Sequence, residues 1–470
     1  MGEVVASDVK GGGSTVTDSS LKTIFDPVVL RFAVLTYLVV LPVGHLVAIP
    51  VSGTMAAGSD FFLALVLLAG VVEIGRVSRP YFTGKVEKVP LLSGHGAFHM
   101  AAFLMITFSA WVAFGALWGL DPNYAIAKGL AFAALSMGAL AIVWCGVGWE
   151  KAADAWLLGT AVCLIVTWFG VLVGPEVLQE RVSYGGGSIR GLPMPRISGP
   201  FPHPNMFGDY LVVSGAILWV RWGALRDAWR WGAVPAAWLL AGTLFMTVSS
   251  AWLGAGVLLT AIGLLTVRQR GGRVRFQKKR PAPFLLVVAG VVLFTMTLAA
   301  LVVPMGADVA GLSLTASGIR PAIWSSALEV FREAPIGGVG ASPFFALAAD
   351  PLNATSPVQL WDAHNIYLSI LGQFGLVGAA LFGGAVAVLA STLVRAGATR
   401  KHAVLLVALF AAGIHGVAVA NEEFRHLWAL AGLIGLASVP QWAQGQWWKE
   451  EDLREKKGVT PLVPYEVAEE

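Results

Sequence analysis

Two of the eight histidines stand in polar segments where an imidazole can do chemistry. His364 lies in Trp361–Leu368, just before an apolar stretch that predicts a helix, and Asp362 or Asn365 can cap that helix. The positive end of the helix dipole disfavours an imidazolium, so a histidine there stays neutral near pH 7 and accepts a proton. A polar residue that merely begins a helix near an interface explains the same spacing equally well. His203, enclosed by two prolines, is the rival base and fits a scaffolding role.

Three arginines in the same polar segments are suited to an anionic ligand. Arg320 precedes Pro321, a residue typical of the first helical position, and a guanidinium beside exposed backbone N–H groups binds phosphate well. Arg190 and Arg196 lie in a proline- and glycine-rich segment that ends at Asn205 and predicts a tight, non-regular path. Contact with lipid headgroups is the alternative role for all three arginines.

The composition indicates which elements must hold these residues. Hydrophobic residues make up 56% of the 470 positions and charged residues 13%, about half the charged fraction of a soluble domain. A surplus of apolar residues on this scale is explained by a surface that faces lipid. The two cysteines lie in apolar segments and do not predict a disulfide framework. We therefore expect an all-α, polytopic membrane protein.

Apolar runs long enough to cross a membrane recur along the chain and predict about 12 spans. The predicted spans are 29–50, 60–76, 97–118, 127–148, 153–174, 205–221, 231–248, 251–268, 283–303, 375–395, 403–420 and 427–443. Residues 1–28 are expected to form a disordered cytoplasmic tail, 29–443 the transmembrane catalytic domain, and 444–470 a second cytoplasmic tail.

The basic residues predict the orientation. With both termini inside, most of the 32 lysines and arginines fall in inside segments, as the positive-inside rule requires. The densest cluster, Arg268–Arg280, is a topology-setting loop or, alternatively, a patch for nucleic acid or anionic lipid; we favour the loop. Two outer loops are long, about 175–205 and 304–365, and long loops between short ones tend to be functional. Within the second, 321–333 predicts an amphipathic helix at the membrane surface, whose apolar face comprises Ile323, Trp324, Ala327, Leu328 and Phe331.

Several familiar signatures are absent from the sequence. No Asp-x-Asp motif lies on the predicted outside, and no P-loop, dinucleotide-binding glycine motif or zinc-ligand spacing occurs. The sequence therefore predicts neither a metal nor a cofactor.

Two stretches resemble the signatures of the O-antigen ligase and polymerase superfamily. The first is Arg196–Gly208, and the second runs from Arg320 through Pro335–Gly340 and Asp362–Asn365 to Gly375–Gly378. Their order and spacing agree with that family over roughly residues 160 to 440. Two positions depart from the pattern. Many relatives have a Ser-Arg pair where this chain has two serines at 249 and 250, and many have an acidic residue at the position of Gln373.

The resemblance implies a membrane glycosyltransferase of bacteria. Family members take a glycan from an undecaprenyl-diphosphate carrier on the outer face of the cytoplasmic membrane and transfer it to an acceptor hydroxyl without a metal. His364 is the matching residue that would activate the acceptor, and Arg320 and Arg196 would hold the diphosphate. Arg190 is the candidate to replace the arginine absent at Ser250. The predicted substrate-binding set comprises Arg320, Arg196, Arg190, His203, Asn205, Asp362 and Asn365.

Other function classes remain open at the level of the sequence. Ligases and polymerases share fold and chemistry, and the acceptor that separates them is not encoded in a recognisable motif. A transporter or flippase also fits about 12 spans, but we see no internal repeat and the candidate residues lie at an outer surface. A structural membrane protein would not need histidine and arginine in the two longest outer loops. The expected partners are the lipid-linked donor, a glycan or glycolipid acceptor and the bilayer, without nucleic acid.

Overall fold

The structure is a computed structural model that describes residues 28–51, 54–82, 96–119, 121–189, 192–228, 232–269, 282–302, 312–313, 320–341, 363–396 and 399–438. Helices dominate these ranges, and the prediction of an all-α protein is confirmed at that level. Outside the described residues lie nearly all of both predicted tails, most of the Arg268–Arg280 segment and most of the loop 304–365. Arg190 and Asp362 lie outside them as well.

In the described part of the chain, fourteen α-helices follow one another. They are α1 (Val28–Val40), α2 (Gly58–Phe82), α3 (Gly96–Phe114), α4 (Pro122–Trp144), α5 (Trp149–Leu172), α6 (Glu176–Val182), α7 (Pro204–Ala228), α8 (Ala233–Met246), α9 (Trp252–Gln269), α10 (Ala282–Val302), α11 (Arg320–Glu333), α12 (Ile366–Arg395), α13 (Arg400–His415) and α14 (Arg425–Ser438).

Side-chain caps fix where some of these helices begin. Asp121 accepts a hydrogen bond from the Tyr124 N–H at 2.9 Å, one residue before the proline that begins α4. Asn365 Oδ1 accepts from the N–H groups of Tyr367 and Leu368 at the start of α12. Of the two caps that the sequence allowed for α12, the structure therefore has Asn365. Such a cap stabilises a helix by about 1 kcal/mol.

Each predicted span coincides with a helix, although some boundaries differ. The predicted span 29–50 is wrong in its second half, because α1 ends at Val40 and a 3₁₀ turn and a strand follow. Pro42 and Pro50 explain this, since proline interrupts a helix interior. By length and composition, four helical segments in the described residues can cross a membrane: Gly96–Leu117, Pro122–Trp144, Trp149–Leu172 and Ile366–Arg395. Shorter apolar helices accompany them, and the number of crossings stays a prediction.

Five short strands, which the sequence did not predict, lie between the helices. β1 (Ala48–Val51) pairs with β2 (Thr54–Ala57), and β3 (Ser183–Ile189) pairs with β4 (Leu192–Ile197) and with β5 (Leu312–Ser313). The prediction of a non-regular path is therefore wrong up to residue 197. The prolines of β4 are tolerated because β4 is an edge strand of its sheet, where a missing N–H leaves no gap in the pairing.

The predicted helix in the second outer loop is present as α11. Its buried side chains are Ile323, Ala327 and Val330, which pack with Ala363 just before α12. The i, i+4, i+7 spacing puts these three side chains on one face. Leu328, which the sequence placed on the apolar face, is 40% exposed. The buried face is thus rotated relative to the predicted one.

Glycines allow the turn after α11 to pack against a kink in α12. Gly338 and Gly375 both have positive φ, and Gly375 interrupts the helical backbone of α12. A Cβ on Gly375 would lie 2.2 Å from the carbonyl oxygen of Ile336, so no other residue fits there. The Val339 N–H donates to the Gly372 oxygen at 3.0 Å. Two parts of the second signature are therefore in direct contact.

Candidate active site

The connection between α13 and α14, residues 415–426, is the place where polar side chains from several helices meet. It contacts α2, α4, α7, α12 and the turn before α9 through hydrogen bonds or ion pairs. The side chains that meet there divide into two groups. We call Asp209, Ser250, His415 and His426 the histidine cluster, and Lys128, Ser369, Gln373, Glu422 and Glu423 the lysine cluster.

The histidine cluster is buried and linked by short hydrogen bonds. Asp209 Oδ1 lies 2.7 Å from His415 Nδ1, and Asp209 Oδ2 lies 2.9 Å from His426 Nε2. The other ring nitrogen of His415, Nε2, lies 3.1 Å from Ser250 Oγ. All four residues are at most 2% exposed. The order hydroxyl, imidazole, carboxylate is the order found in serine–histidine–aspartate triads.

The carboxylate of Asp209 determines which ring nitrogens of the two histidines carry a proton. An ionised carboxylate only accepts hydrogen bonds, so both imidazoles donate to Asp209. The Nε2 atom of His415 then either accepts the Ser250 hydroxyl proton or, in the imidazolium form, donates to the Ser250 oxygen. A buried carboxylate costs much free energy without a cationic partner, and the two histidines are the groups that hydrogen-bond to it.

The histidine cluster contacts the first of the two candidate stretches. Asn205 Oδ1 accepts from the Ser250 N–H at 3.3 Å, and the Asn205 N–H donates to His203 Nδ1 at 3.2 Å. The neighbouring Arg196 is 8% exposed, and its Nε donates to the Thr247 carbonyl at 3.4 Å. Two predicted site residues, Asn205 and Arg196, thus contact the turn that carries Ser250, and a third, His203, contacts Asn205.

The same cluster reaches the second stretch through the backbone. The Ile366 N–H donates to the carbonyl of Gly416, the residue after His415, at 2.8 Å. Tyr367 Oη donates to the Gly413 carbonyl at 2.9 Å. The end of α13 therefore holds the start of α12, where His364 is half-buried just ahead of the Asn365 cap.

Unusual backbone conformations mark both stretches. Val248 and His364 are the non-glycine residues with positive φ in the described ranges, at 42° and 44°. For a β-branched residue such as valine this conformation is strongly disfavoured, and it persists only where the surroundings impose it. One of these residues lies two positions before Ser250 and the other is the predicted base. Strain of this kind concentrates at functional sites.

The lysine cluster lies beside the histidine cluster and carries fixed charges. Lys128 Nζ is 2.7 Å from Glu423 Oε1 and 3.7 Å from Glu422 Oε1. Glu422 also accepts from the Ser369 hydroxyl at 3.0 Å, and Gln373 Nε2 donates to Ser369 at 2.8 Å. Lys128 holds the pKa of the Glu423 carboxyl below its ordinary value, because the ammonium favours the ionised form.

The structure brings together five of the eight predicted site residues, and the side chains of the other three lie outside the described residues. Arg196, His203, Asn205, Asn365 and His364 lie at the two ends of one hydrogen-bonded path. Arg320 begins α11, but its side chain is outside the described residues, as are Arg190 and Asp362.

Sequence reasoning missed the histidine cluster. Of the eight histidines, the sequence analysis singled out His203 and His364 alone, and it did not consider Asp209. A signal was present, because an ionisable residue within an apolar span is by default a functional candidate. Asp209 within α7 and His415 within α13 satisfy that criterion.

A cavity of about 390 Å³ lies between α7, α8, α9 and α10. Its wall is apolar and includes Leu211, Leu240, Phe245 and Trp252. The turn between Met246 and Trp252, which carries Ser250, joins α8 and α9, two of the helices that line the cavity. Among the described residues, no group of three or more histidine, cysteine, aspartate or glutamate side chains is arranged to hold a metal ion.

Comparison with protein families gives one match. Residues 235–383, which are less than half of the chain, match the family described as O-antigen ligase. Over these residues the chain is similar to the O-antigen ligase family. The resemblance to the O-antigen ligase and polymerase superfamily is thereby confirmed. A comparison with curated proteins gives no match.

The matched O-antigen ligase region begins in α8 and ends in α12. It includes the turn with Ser250, the start of α11 and the residues His364 and Asn365. The Arg196–Gly208 stretch and the α13–α14 connection lie outside the match, and they are joined to it by the hydrogen bonds described above.

Proposed function

We propose that this protein is an O-antigen ligase-like membrane glycosyltransferase. It transfers a glycan from an undecaprenyl-diphosphate carrier to an acceptor hydroxyl on the outer face of the bacterial cytoplasmic membrane. One observation carries the proposal beyond the family match. The two polar stretches with the candidate arginines and histidines are linked by a continuous path from Asn205 through Ser250 and His415 to Ile366.

In the proposed donor site, arginines hold the diphosphate. Arg196 stands beside the turn at Thr247, and Arg320 begins α11, where backbone N–H groups favour an anion. Arg190 is the further candidate. The apolar cavity between α7 and α10 lies next to that turn and suits the prenyl chain of a lipid carrier.

In the proposed reaction, His364 acts as the general base. The acceptor oxygen attacks the anomeric carbon while its proton passes to the imidazole, and the bond between that carbon and the diphosphate oxygen breaks. The electron pair leaves with the undecaprenyl diphosphate, whose charge the arginines stabilise. Direct attack inverts the anomeric centre and forms no covalent glycosyl-enzyme intermediate. Because the leaving group is already good, the reaction needs help mainly at the acceptor hydroxyl.

A polymerase that joins repeat units is the second candidate, because it performs the same chemistry on a different acceptor. A flippase is disfavoured because, within the described residues, the candidate polar side chains lie in connections between helices and at helix ends. The orientation is tested by single cysteines at Ser317 and Gly272 with an impermeant reagent. We expect labelling of intact cells at Ser317 alone; labelling at Gly272 alone would reverse the topology.

The experiment that tests the function uses purified protein, an undecaprenyl-diphosphate glycan and two acceptors, a lipid core and a second lipid-linked glycan. Transfer to the first identifies a ligase and transfer to the second a polymerase.

Arg196→Ala should slow transfer about tenfold to a hundredfold, because a charge-assisted contact contributes roughly 1.5–3 kcal/mol. Arg196→Lys should recover only part of the rate. Arg221→Ala, which removes an arginine paired with Asp154, is the matched control. No transfer to either acceptor by the wild type would refute the proposal.

A further inference from the structure

The path between the two stretches runs through side chains that the proposed reaction does not use. Asp209 comes from α7, His415 from α13 and Ser250 from the turn before α9, and none of them belongs to the predicted site. Each is buried and each makes two polar contacts along the path or beside it. Buried polar networks of this kind rigidify their surroundings when every member is satisfied.

We propose that Asp209, His415 and Ser250 form a positioning relay that sets the geometry between the donor-binding stretch and His364. The relay rests on the proposed function, since it deepens the description of that same site. Its members touch neither substrate. They act by holding the backbone turn at Ser250 and the end of α13 in one fixed arrangement.

The first step of the relay is the orientation of His415 by Asp209. At 2.7 Å, the carboxylate fixes the Nδ1–H of the ring and so directs Nε2 towards Ser250. His426 occupies the second carboxylate oxygen, which prevents Asp209 from rotating away. Second partners of this kind commonly fix the tautomer and orientation of a histidine.

The second step couples the relay to the donor side. The Ser250 hydroxyl forms a hydrogen bond with His415 Nε2, and the Ser250 N–H donates to Asn205 Oδ1. The turn that it belongs to contains the strained Val248 and the Thr247 carbonyl that Arg196 contacts. A turn with a disfavoured backbone conformation needs external bonds to keep it, and the relay provides one of them.

The third step couples the relay to the acceptor side. Gly416 follows His415 directly, and its carbonyl accepts the Ile366 N–H at 2.8 Å. A Cβ on Gly416 would lie 2.6 Å from the side chain of Ile366, so the Gly416 backbone packs directly against Ile366. Ile366 is two residues from His364. A shift of the His415 ring therefore moves the base relative to the donor-binding stretch.

The test measures transfer kinetics and thermal unfolding for Asp209→Asn, His415→Gln, Ser250→Ala and Ser250→Thr. Misplacement by about 1 Å can cost a hundredfold in rate, so we expect kcat to fall about tenfold to a hundredfold in the first three variants. The KM for the lipid-linked donor should change little. Ser250→Thr keeps the hydroxyl and should recover most of the rate.

His402→Gln is the matched control. His402 is a buried histidine at the other end of α13, and its Nε2 lies 3.1 Å from the Ala437 carbonyl. It should lose stability without the selective loss of kcat. An equal loss of kcat in His402→Gln and His415→Gln would reduce the relay to ordinary helix packing and overturn it.

Two further readouts separate positioning from catalysis. The double variant Asp209→Asn/His415→Gln should be about as slow as the slower single variant, because residues that act as one unit are not additive. The pH dependence of transfer should be the same in His415→Gln as in the wild type, because His364 is the proposed base in both. A covalent fluorophosphonate adduct on Ser250 would instead identify a serine nucleophile and overturn the relay.

The outcomes separate the relay from the proposed function. Normal rates in all relay variants, with Arg196→Ala still slow, would overturn the relay and leave the proposed function standing. No transfer by the wild type would overturn both.

Discussion

The histidine cluster and the lysine cluster lie at the same end of the helices and both contact α12, but they are built differently. The histidine cluster reaches the first residue of α12 through a backbone carbonyl and consists of hydrogen bonds between buried groups. The lysine cluster reaches α12 one and two turns later, at Ser369 and Gln373, and centres on an ion pair. Only the histidine cluster also contacts the Arg196–Asn205 stretch through the described hydrogen bonds.

This difference predicts different consequences of mutation. Directional hydrogen bonds fix the orientation of the side chains that they join, whereas opposite charges at short distance mainly contribute free energy of folding when both are present. Variants next to the histidine cluster should therefore change the rate of transfer more than the stability. Variants of the lysine cluster should change the stability more than the rate per folded molecule.

The largest effect is expected for His364→Ala, the residue that the histidine cluster is proposed to position. General base catalysis typically contributes about 10²–10⁴-fold, so transfer should fall by that factor. The protein should still insert, fold and bind the lipid-linked donor. Transfer is measured with purified protein, and donor binding is measured separately.

His203→Ala is the matched control for this variant. His203 Nδ1 accepts the Asn205 N–H, which agrees with a scaffolding role, and its loss should be milder. Loss of transfer in His203→Ala with normal transfer in His364→Ala would move the base to the first stretch. If neither change matters, base catalysis by histidine has to be abandoned.

The next largest effect is expected for Lys128→Met in the lysine cluster. Lys128 is 7% exposed, and its removal leaves the carboxylates of Glu422 and Glu423 without their lysine. Breaking a buried ion pair by removing one partner costs about 3–5 kcal/mol; the exposure of Glu423 favours the lower value. Thermal unfolding in detergent should show a large decrease, while kcat per folded molecule stays close to that of the wild type.

Lys401→Met provides the comparison, because Lys401 is a half-buried lysine at the opposite end of α13. It should destabilise the protein much less. A loss of kcat in Lys128→Met without a loss of stability would remove the distinction between the two clusters.

The helices could be predicted from the sequence, because each apolar run is a local pattern. Boundaries were less accurate where a local signal competed with packing. The helix predicted directly after His364 and the span predicted at 375–395 are one helix, α12, which begins at the Asn365 cap and is kinked at Gly375. The β3–β4 hairpin was missed because its prolines and glycines are also typical of irregular loops.

The individual residues of the two stretches were predicted from residue type and from the family signatures, but what connects them was not. Asp209 is separated from His415 by 206 positions and from His426 by 217. No periodicity or spacing rule relates residues so far apart in a single sequence. The resemblance did point to Ser250, as the position where relatives have an arginine, without indicating that a histidine approaches it.

A smaller effect is expected for Asn365→Ala at the start of α12. Asn365 satisfies two backbone N–H groups, and loss of such a cap costs about 1 kcal/mol. Because His364 directly precedes the cap, the transfer rate should also decrease, though less than in His364→Ala. Asn365→Asp keeps an acceptor at the same position and should retain most of the stability. An unchanged unfolding temperature in Asn365→Ala would show that Gly416 and α13 alone hold the start of α12.

The smallest effect is expected for Glu423→Gln, and it depends on pH. Lys128 lowers the pKa of Glu423 in the folded protein, so the ionised carboxyl stabilises the fold above its unfolded pKa of about 4.3. That contribution is lost as the pH falls through the lower, folded pKa. Because the Glu423 side chain is 52% exposed, solvent screens the pair, and we expect less than about 1 kcal/mol.

Thermal unfolding of wild type and Glu423→Gln across this pH range measures the effect. The wild type should be slightly more stable near pH 7, and the difference should disappear in acid as Glu423 becomes protonated. Glu180→Gln, which changes an exposed glutamate of α6, should show no such convergence. A difference that persists in acid would mean that Glu423 acts through its hydrogen bond and not its charge. The lysine cluster would then be held in the same way as the histidine cluster, and the contrast between them would rest on Lys128 and Glu422 alone.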